Sequence, residues 1–284
     1  MIRTRPLLHV PLWLLAAMTV APTGCGQTND EKEGIGLAEY RLLQGPIQIE
    51  GVRKDASGLA FCEITKSLWV VIDSPPVLVE VDLAGRLLRQ IELRGFEDIE
   101  GIAHVKGNRF ALVEERRYEL CLIEIGPETK RIDRTAATTI RLEEDGGDND
   151  GLEGVAFDAL RQRFFCVKEK KPSRVYEIQK GSEPGKFGRV SHPWEAKEKK
   201  DWKLDDLSGL HFDAASGHLL VLSDKSSAVV ECTPQGKMIA RLSLTKGSAG
   251  LDATIPKAEG ITMDASGRLY VCSEPNLLYI LAKE

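Results

Sequence analysis

The chain has 284 residues, of which 42% are hydrophobic and 29% are charged, a composition typical of a folded globular protein. Its formal net charge of −5 at pH 7 argues against a nucleic-acid groove, because such a groove requires a basic face. Two lysine runs, at 168–171 and 197–200, are interleaved with glutamates and predict solvated loops.

Residues 1–24 predict a signal peptide of the lipoprotein type. Arg3 and Arg5 form a positive region, and the apolar stretch 12–21 is too short to span a membrane. The small residues before Cys25 resemble the bacterial lipoprotein processing site, although Pro22 stands where leucine is usual. We therefore expect lipidation of Cys25, a tether over 25–36, and a lipoprotein of the bacterial cell envelope that faces the periplasm. A soluble periplasmic or secreted protein is the alternative.

Two motifs recur in phase along residues 37–284. A short apolar strand opens with a glycine in each copy, at Gly58, Gly101, Gly154, Gly209 and Gly260. A second apolar strand ends in an acid in each copy, at Asp73, Glu115, Glu169, Asp224 and Glu274. Long repeats of several strands are typical of β-propellers. The sequence thus predicts an all-β fold, a five-bladed β-propeller of four-stranded antiparallel blades, with six blades as the alternative.

The blades follow the repeats in chain order. They are predicted to begin at Ser57, Glu100, Glu153, Ser208 and Glu259. The hydrophilic segment 180–203 predicts an insertion with a weak outer strand. The last copy lacks an outer strand, whereas Tyr40–Leu43 before the first copy resembles one. An N-terminal strand should therefore complete the final blade and close the ring, which removes free sheet edges.

The cysteines after Cys25 lie inside apolar strands of the repeat and show no metal-ligand spacing. They are Cys62, Cys121, Cys166, Cys232 and Cys272. We expect buried free thiols, with a redox or zinc role as the alternative.

The start of each first strand should lie at one end of the central channel. Glu100, Glu153 and Glu259 occupy this position in three blades, and Asp98 and Asp206 lie two residues earlier in their blades. Carboxylates this close repel each other unless a cation neutralises them. Oxygen ligands without histidine favour Ca²⁺ in an extracytoplasmic protein. We therefore predict a calcium site on these five acids. In the alternative, each acid caps its own turn or bonds neighbouring backbone amides, and water fills the channel.

The acids that end the second strands are predicted to be structural, since each could tie its strand end to the next turn by hydrogen bonds. His104 replaces the Phe or Met of other copies, which indicates a packed, hydrogen-bonded histidine. His211 replaces Ala or Thr and is the candidate general base. No nucleophile elbow or metalloprotease motif is present.

Three stretches, Asp206–Leu210, Leu219–Ser226 and Ile255–Tyr279, resemble the SdiA-regulated (YjiK-like) family of bacterial envelope β-propellers, which is related to NHL-type propellers. The resemblance implies a five-bladed fold, attachment to the envelope and a bound calcium ion. By motif match, the calcium falls on Glu100, Glu153 and Glu259.

We expect a non-catalytic, calcium-stabilised monomer that binds an unknown ligand or protein at the channel rim, with membrane contact only through the lipid anchor. The alternative is a calcium-dependent hydrolase of esterase, lactonase or phosphoesterase type. In that case Ca²⁺ would polarise a substrate oxygen, with His211 or a rim carboxylate as base. A third and weaker interpretation is a protein-interaction platform around Trp194 and Trp202, since exposed tryptophans often anchor partners. Burial of both rings against the blade is the favoured expectation.

Overall fold

The computed structural model describes residues 33–142, 151–181, 187–199 and 201–283. The predicted signal peptide, Cys25 and most of the tether lie outside these residues. The described part contains twenty-one β-strands and three short 3-10 helices. Within it, we find no helix with the length and apolar character that a membrane crossing requires.

The strands form five sheets arranged as blades. The first strand, β1, is Tyr40–Gln48. Blade 1 contains β2 (Ala56–Cys62), β3 (Ser67–Ile72), β4 (Val77–Val81) and β5 (Leu87–Arg94). Blade 2 contains β6 (Ile99–Lys106), β7 (Arg109–Glu114), β8 (Glu119–Glu124) and, after the short β9 (Arg131–Asp133), β10 (Thr138–Arg141).

The remaining blades follow the same order. Blade 3 contains β11 (Leu152–Asp158), β12 (Arg163–Lys168), β13 (Arg174–Lys180) and β14 (Phe187–Glu195). Blade 4 contains β15 (Gly209–Asp213), β16 (His218–Ser223), β17 (Ala228–Cys232) and β18 (Met238–Ser243). Blade 5 contains β19 (Ala258–Met263), β20 (Leu269–Ser273) and β21 (Leu277–Lys283). The predicted five-bladed all-β propeller is therefore confirmed.

The N-terminal strand closes the ring, as predicted. Strand β1 pairs antiparallel with β21, with Tyr40 opposite Lys283. The Tyr40 hydroxyl donates a hydrogen bond to the Gly267 carbonyl at 2.7 Å. Before the strand, the Ile35 amide donates to Glu231 Oε1 on blade 4 at 2.8 Å, and Leu37 is fully buried. The N-terminal segment thus joins blade 4 to blade 5.

Two features differ from the sequence prediction. Strand β9 leaves blade 2 and pairs parallel with β5, so the sheet of blade 1 has five strands. Segment 180–203 contributes a complete nine-residue outer strand, β14. Trp194 and Trp202 are each only 2% exposed, with ring centroids 4.5 Å apart. Both rings pack in the core between blades 3 and 4, which confirms the expected burial and rules out the exposed-tryptophan platform.

The core lies between neighbouring blades. Trp69 of blade 1, for example, packs on Phe110 of blade 2 with ring centroids 5.1 Å apart. The five cysteines in the described part of the chain are buried and free, as predicted. All five lie in the hydrophobic clusters between blades, and the Cys121 thiol also donates a hydrogen bond to Glu114 Oε2 at 3.2 Å.

The inner strands approach one another closely at the axis. A Cβ atom on Gly58 would lie 2.7 Å from the Glu100 carbonyl oxygen of the next blade, and one on Gly209 would lie 2.8 Å from the Glu259 carbonyl oxygen. Any side chain at these positions would force the blades apart. The repeated glycine is therefore a requirement of the narrow channel, and it places the preceding residue of each blade at the axis.

Candidate functional site

Three glutamates line one end of the channel. Glu100, Glu153 and Glu259 each precede an axial glycine, and together they border a cavity of about 10 Å³. A space of that size accommodates about one water-sized sphere. The equivalent residues of the other two blades are Ser57 and Ser208. Their hydroxyls donate to the backbone carbonyls of Asp55 at 3.3 Å and Ala258 at 2.7 Å.

The protein environment disfavours the ionised form of these glutamates. Burial, together with the negative charge of Asp73, raises the pKa of Glu100 to about 8. Burial and Asp224 raise the pKa of Glu259 to about 8. Burial and Glu100 raise the pKa of Glu153 well above its usual range. The charges that act on all three are those of other carboxylates, so the site is short of positive charge.

The other two predicted ligands lie elsewhere at the same end. Asp98 Oδ2 is 2.9 Å from Arg116 Nε. Asp206 is 2% exposed, accepts a hydrogen bond from the Ser223 hydroxyl, and accepts the Lys225 amide at 3.2 Å. Neither borders the cavity between the glutamates. The structure therefore brings together three of the five predicted acids, while Asp206 holds the turn after β16.

The second acidic series connects neighbouring blades. Glu115 Oε1 accepts the Gly151 amide at 3.2 Å, and Asp224 Oδ1 accepts the Ala258 amide at 3.2 Å. These bonds confirm the predicted structural role for two members. Glu169 and Glu274 instead lie 3.2 Å and 2.8 Å from lysine ammonium groups.

The electrostatic role of this second series was missing from the sequence prediction. Asp73, Glu169 and Asp224 each raise the pKa of a channel glutamate. The phase of the repeat carries the signal, because such an acid lies near the start of a first strand: that of its own blade for Glu169 and Glu153, and that of the next blade for Asp73 and Asp224.

A compact acidic cluster lies outside the channel. In the part of the chain that the structure describes, Glu114, Glu119 and Cys121 are the one group of potential ligands whose atoms all lie within 4.8 Å of one another. Arg134 Nε is 2.7 Å from Glu114 Oε2, and the same guanidinium bonds Glu119. Arg117 Nη1 lies 3.4 Å from Glu114 Oε1, so two guanidinium groups balance the two carboxylates of this cluster. The channel glutamates are more widely spaced, so a cation would have to draw their carboxylates inward.

An apolar ring separates the glutamates from the histidines. It consists of the residue after each axial glycine, namely Leu59, Ile102, Val155, Leu210 and Ile261. Beyond it lies a cavity of about 80 Å³ that includes His104 and His211. His211 lies three residues after Ser208, which occupies the position of the glutamates in blade 4. Three residues of extended strand span about 10 Å. Burial lowers the pKa of His211 to about 4, so its imidazole is neutral at pH 7.

His104 is packed and hydrogen-bonded, as predicted. Its Nε2 donates to the Gly107 carbonyl at 2.9 Å, and its ring lies 5.1 Å from that of Phe110. It is only half-buried, however, because it borders the channel. His104 and His211 therefore face the same end of the channel.

Comparison with known proteins supports this architecture. A glutaminyl cyclase from Myxococcus xanthus is 14% identical with a TM-score of 0.53, over 86% of this chain and 95% of that chain. A luciferin-regenerating enzyme is 12% identical with a TM-score of 0.52, over 86% of this chain and 94% of that chain. At such identities the likeness shows the propeller fold alone. The family model described as SdiA-regulated matches residues 32–282. The chain therefore belongs to the SdiA-regulated family.

Proposed function

We propose that this protein is a calcium-binding β-propeller of the bacterial cell envelope, and that it acts as a binding module for a ligand or protein at the channel rim. The observation that supports the proposal is the convergence of Glu100, Glu153 and Glu259 on one narrow cavity. Their raised pKa values indicate that these carboxylates need either protons or a cation.

The donor set suits Ca²⁺. This ion takes six to eight oxygen ligands and accepts irregular geometry. Three carboxylates without an imidazole or thiolate favour a hard cation over zinc or copper. Glu100, Glu153 and Glu259 would hold the ion, with water completing its coordination.

The cellular part of the proposal rests on the N-terminal sequence. The lipoprotein-like pattern before Cys25 supports export and lipidation, and the acidic net charge supports a role without nucleic acid. We infer a monomer whose membrane contact is the lipid anchor alone.

The arrangement does not favour the calcium-dependent hydrolase. His211 borders the cavity beyond the apolar ring, whereas the glutamates border the cavity before it. An imidazole about 10 Å from the cation is too far to take a proton from a substrate held there. A binding role requires no such base.

Thermal unfolding in EDTA, with calcium then added back, tests the proposal. A ligand that binds only the folded state must raise the melting temperature as its concentration increases. Glu153→Gln should abolish that rise, whereas Glu128→Gln, an exposed control, should retain it. No shift with calcium, magnesium or manganese would overturn the cation site.

A further inference from the structure

The end of the channel opposite the glutamates opens into a cavity of about 1000 Å³, which we call the histidine mouth. Each blade contributes the residue three positions after its axial glycine: Phe61, His104, Phe157, Phe212 and Met263. The mouth continues inward to the 80 Å³ cavity, where Ala60, Ala103 and Ala156 leave room beside His211. The size is typical of sites for small organic ligands.

The walls of the histidine mouth are mainly apolar. Phenylalanines come from blades 1, 3 and 4, and a methionine comes from blade 5. Two of the most exposed hydrophobic side chains lie on the turns around it: Ile64 is 66% exposed, and Leu160, next to the lining residue Ala159, is 82% exposed. An apolar molecule would therefore meet apolar surface from the rim down to the inner cavity.

One hydrogen-bonding group is available inside. His211 Nδ1 lies 3.5 Å from Thr262 Oγ1, and that oxygen accepts the Phe61 amide at 3.0 Å. The threonine hydroxyl can then donate to Nδ1, which leaves the proton on Nε2. No hydrogen bond links Nε2 to any residue that the structure describes. His104 differs, because its Nε2 is bonded to Gly107.

The charges at the histidine mouth cancel. The acidic residues are Glu63, Asp213 and Asp264, and the basic residues are Lys106, Arg268 and Lys283. Two of the carboxylates are bonded to their own turns. Asp213 accepts the Ser216 amide at 2.7 Å, and Asp264 accepts the Ser266 amide at 2.8 Å. A charged ligand would lose its hydration without gaining a partner in the inner cavity, which is unfavourable.

We propose that the histidine mouth binds an uncharged, largely apolar small molecule that carries a hydrogen-bonding oxygen. Its apolar part packs on Phe61, Phe157 and Phe212, and its oxygen accepts the Nε2 proton of His211. This inference extends the proposed binding function by naming a ligand class. It uses none of the channel glutamates, so it can be tested in EDTA and does not depend on calcium.

Two uncharged probes of nearly equal shape, 1-naphthol and 1-methylnaphthalene, test the proposal. 1-Naphthol carries a hydroxyl group at the position where 1-methylnaphthalene carries a methyl group. Both should bind the full-length protein in EDTA, as measured by probe fluorescence. His211→Leu should lower the preference for naphthol over methylnaphthalene about fivefold, because a net hydrogen bond contributes about 1 kcal/mol. The same substitution should leave the affinity for methylnaphthalene within about twofold, since an apolar side chain keeps the wall intact.

His192→Leu, at an exposed histidine on β14, is the matched control and should keep the wild-type preference. Histidine ¹H–¹⁵N spectra of the wild-type protein give a second test, which does not depend on whether a variant folds. Naphthol should shift the His211 ring signals more than those of His192. Absence of binding, an unchanged preference in His211→Leu, or unshifted His211 signals would each overturn the proposal.

Discussion

Gly101 of blade 2 packs directly against the carbonyl oxygen of Glu153 in blade 3, so closely that a Cβ atom at position 101 would lie 2.5 Å from that oxygen. The backbone of Glu153, a residue of the candidate site, therefore contacts the backbone of Gly101, whose role is close packing of the blades. The channel is narrow at the glutamates because glycine repeats at the junctions. Stability of the ring and geometry of the candidate cation site are therefore coupled.

Gly101→Ala should lower the free energy of unfolding by about 1–3 kcal/mol, since overpacking at a backbone contact forces the inner strands apart. Gly126→Ala is the matched control, because the nearest atom to its added Cβ, Thr129 Oγ1, would lie at an ordinary 3.5 Å. Urea unfolding measures the free energy of unfolding of both variants. Equal stability of the two variants would contradict the close junction.

The pH dependence of stability should reveal the channel glutamates. Folding raises the pKa of Glu259 from 4.5 to about 8, so folding favours its protonated form. Its contribution to stability is complete below pH 4.5 and is lost as the pH rises toward 8. In EDTA the melting temperature of the wild type should therefore fall across this range relative to that of Glu259→Gln.

Calcium should reverse that loss, because the cation replaces the protons that leave. The calcium-induced rise in melting temperature should grow between pH 6 and about pH 8. Differential scanning calorimetry at fixed ionic strength measures the melting temperature against pH, once in EDTA and once with calcium. A rise that shrinks with pH would contradict the assignment of the cation to the glutamates.

The N-terminal closure should contribute strongly to stability. Leu37 is fully buried in the core between blades 4 and 5, whereas Leu43 on β1 is 59% exposed. Leu37→Ala should cost about 2–5 kcal/mol through the cavity that it leaves. Leu43→Ala should change stability by no more than about 0.5 kcal/mol. Chemical denaturation measures the free energy of unfolding of both variants. Similar losses of stability in the two would show that closure does not depend on the packing of Leu37.

The sequence predicts the repeat well because five glycines and five acids recur in phase. It does not predict β9, since a three-residue parallel strand has no periodicity to detect. It underestimates β14 because Gly188 and Pro193 interrupt the apolar pattern. An outer strand tolerates proline because one side needs no hydrogen-bonding partner.

The sequence predicts only part of the candidate site, and backbone conformation explains why. An extended strand places residues i and i−2 on one face, so Asp98 should have joined Glu100. Asp98 instead has a φ of 48°, a left-handed conformation that breaks the alternation. Its carboxylate consequently pairs with Arg116. Single-residue changes of this kind leave no signal in a pattern of apolar and acidic residues.

The pairing of β1 with β21 also sets an order of events during synthesis. Tyr40 leaves the ribosome long before its partner Lys283 exists. Blades 1 to 4 can collapse as they appear, but blade 5 lacks its outer strand until both partners are available. Closure of the ring therefore follows the synthesis of blades 1 to 4, and the growing chain keeps an open seam until β21 is made.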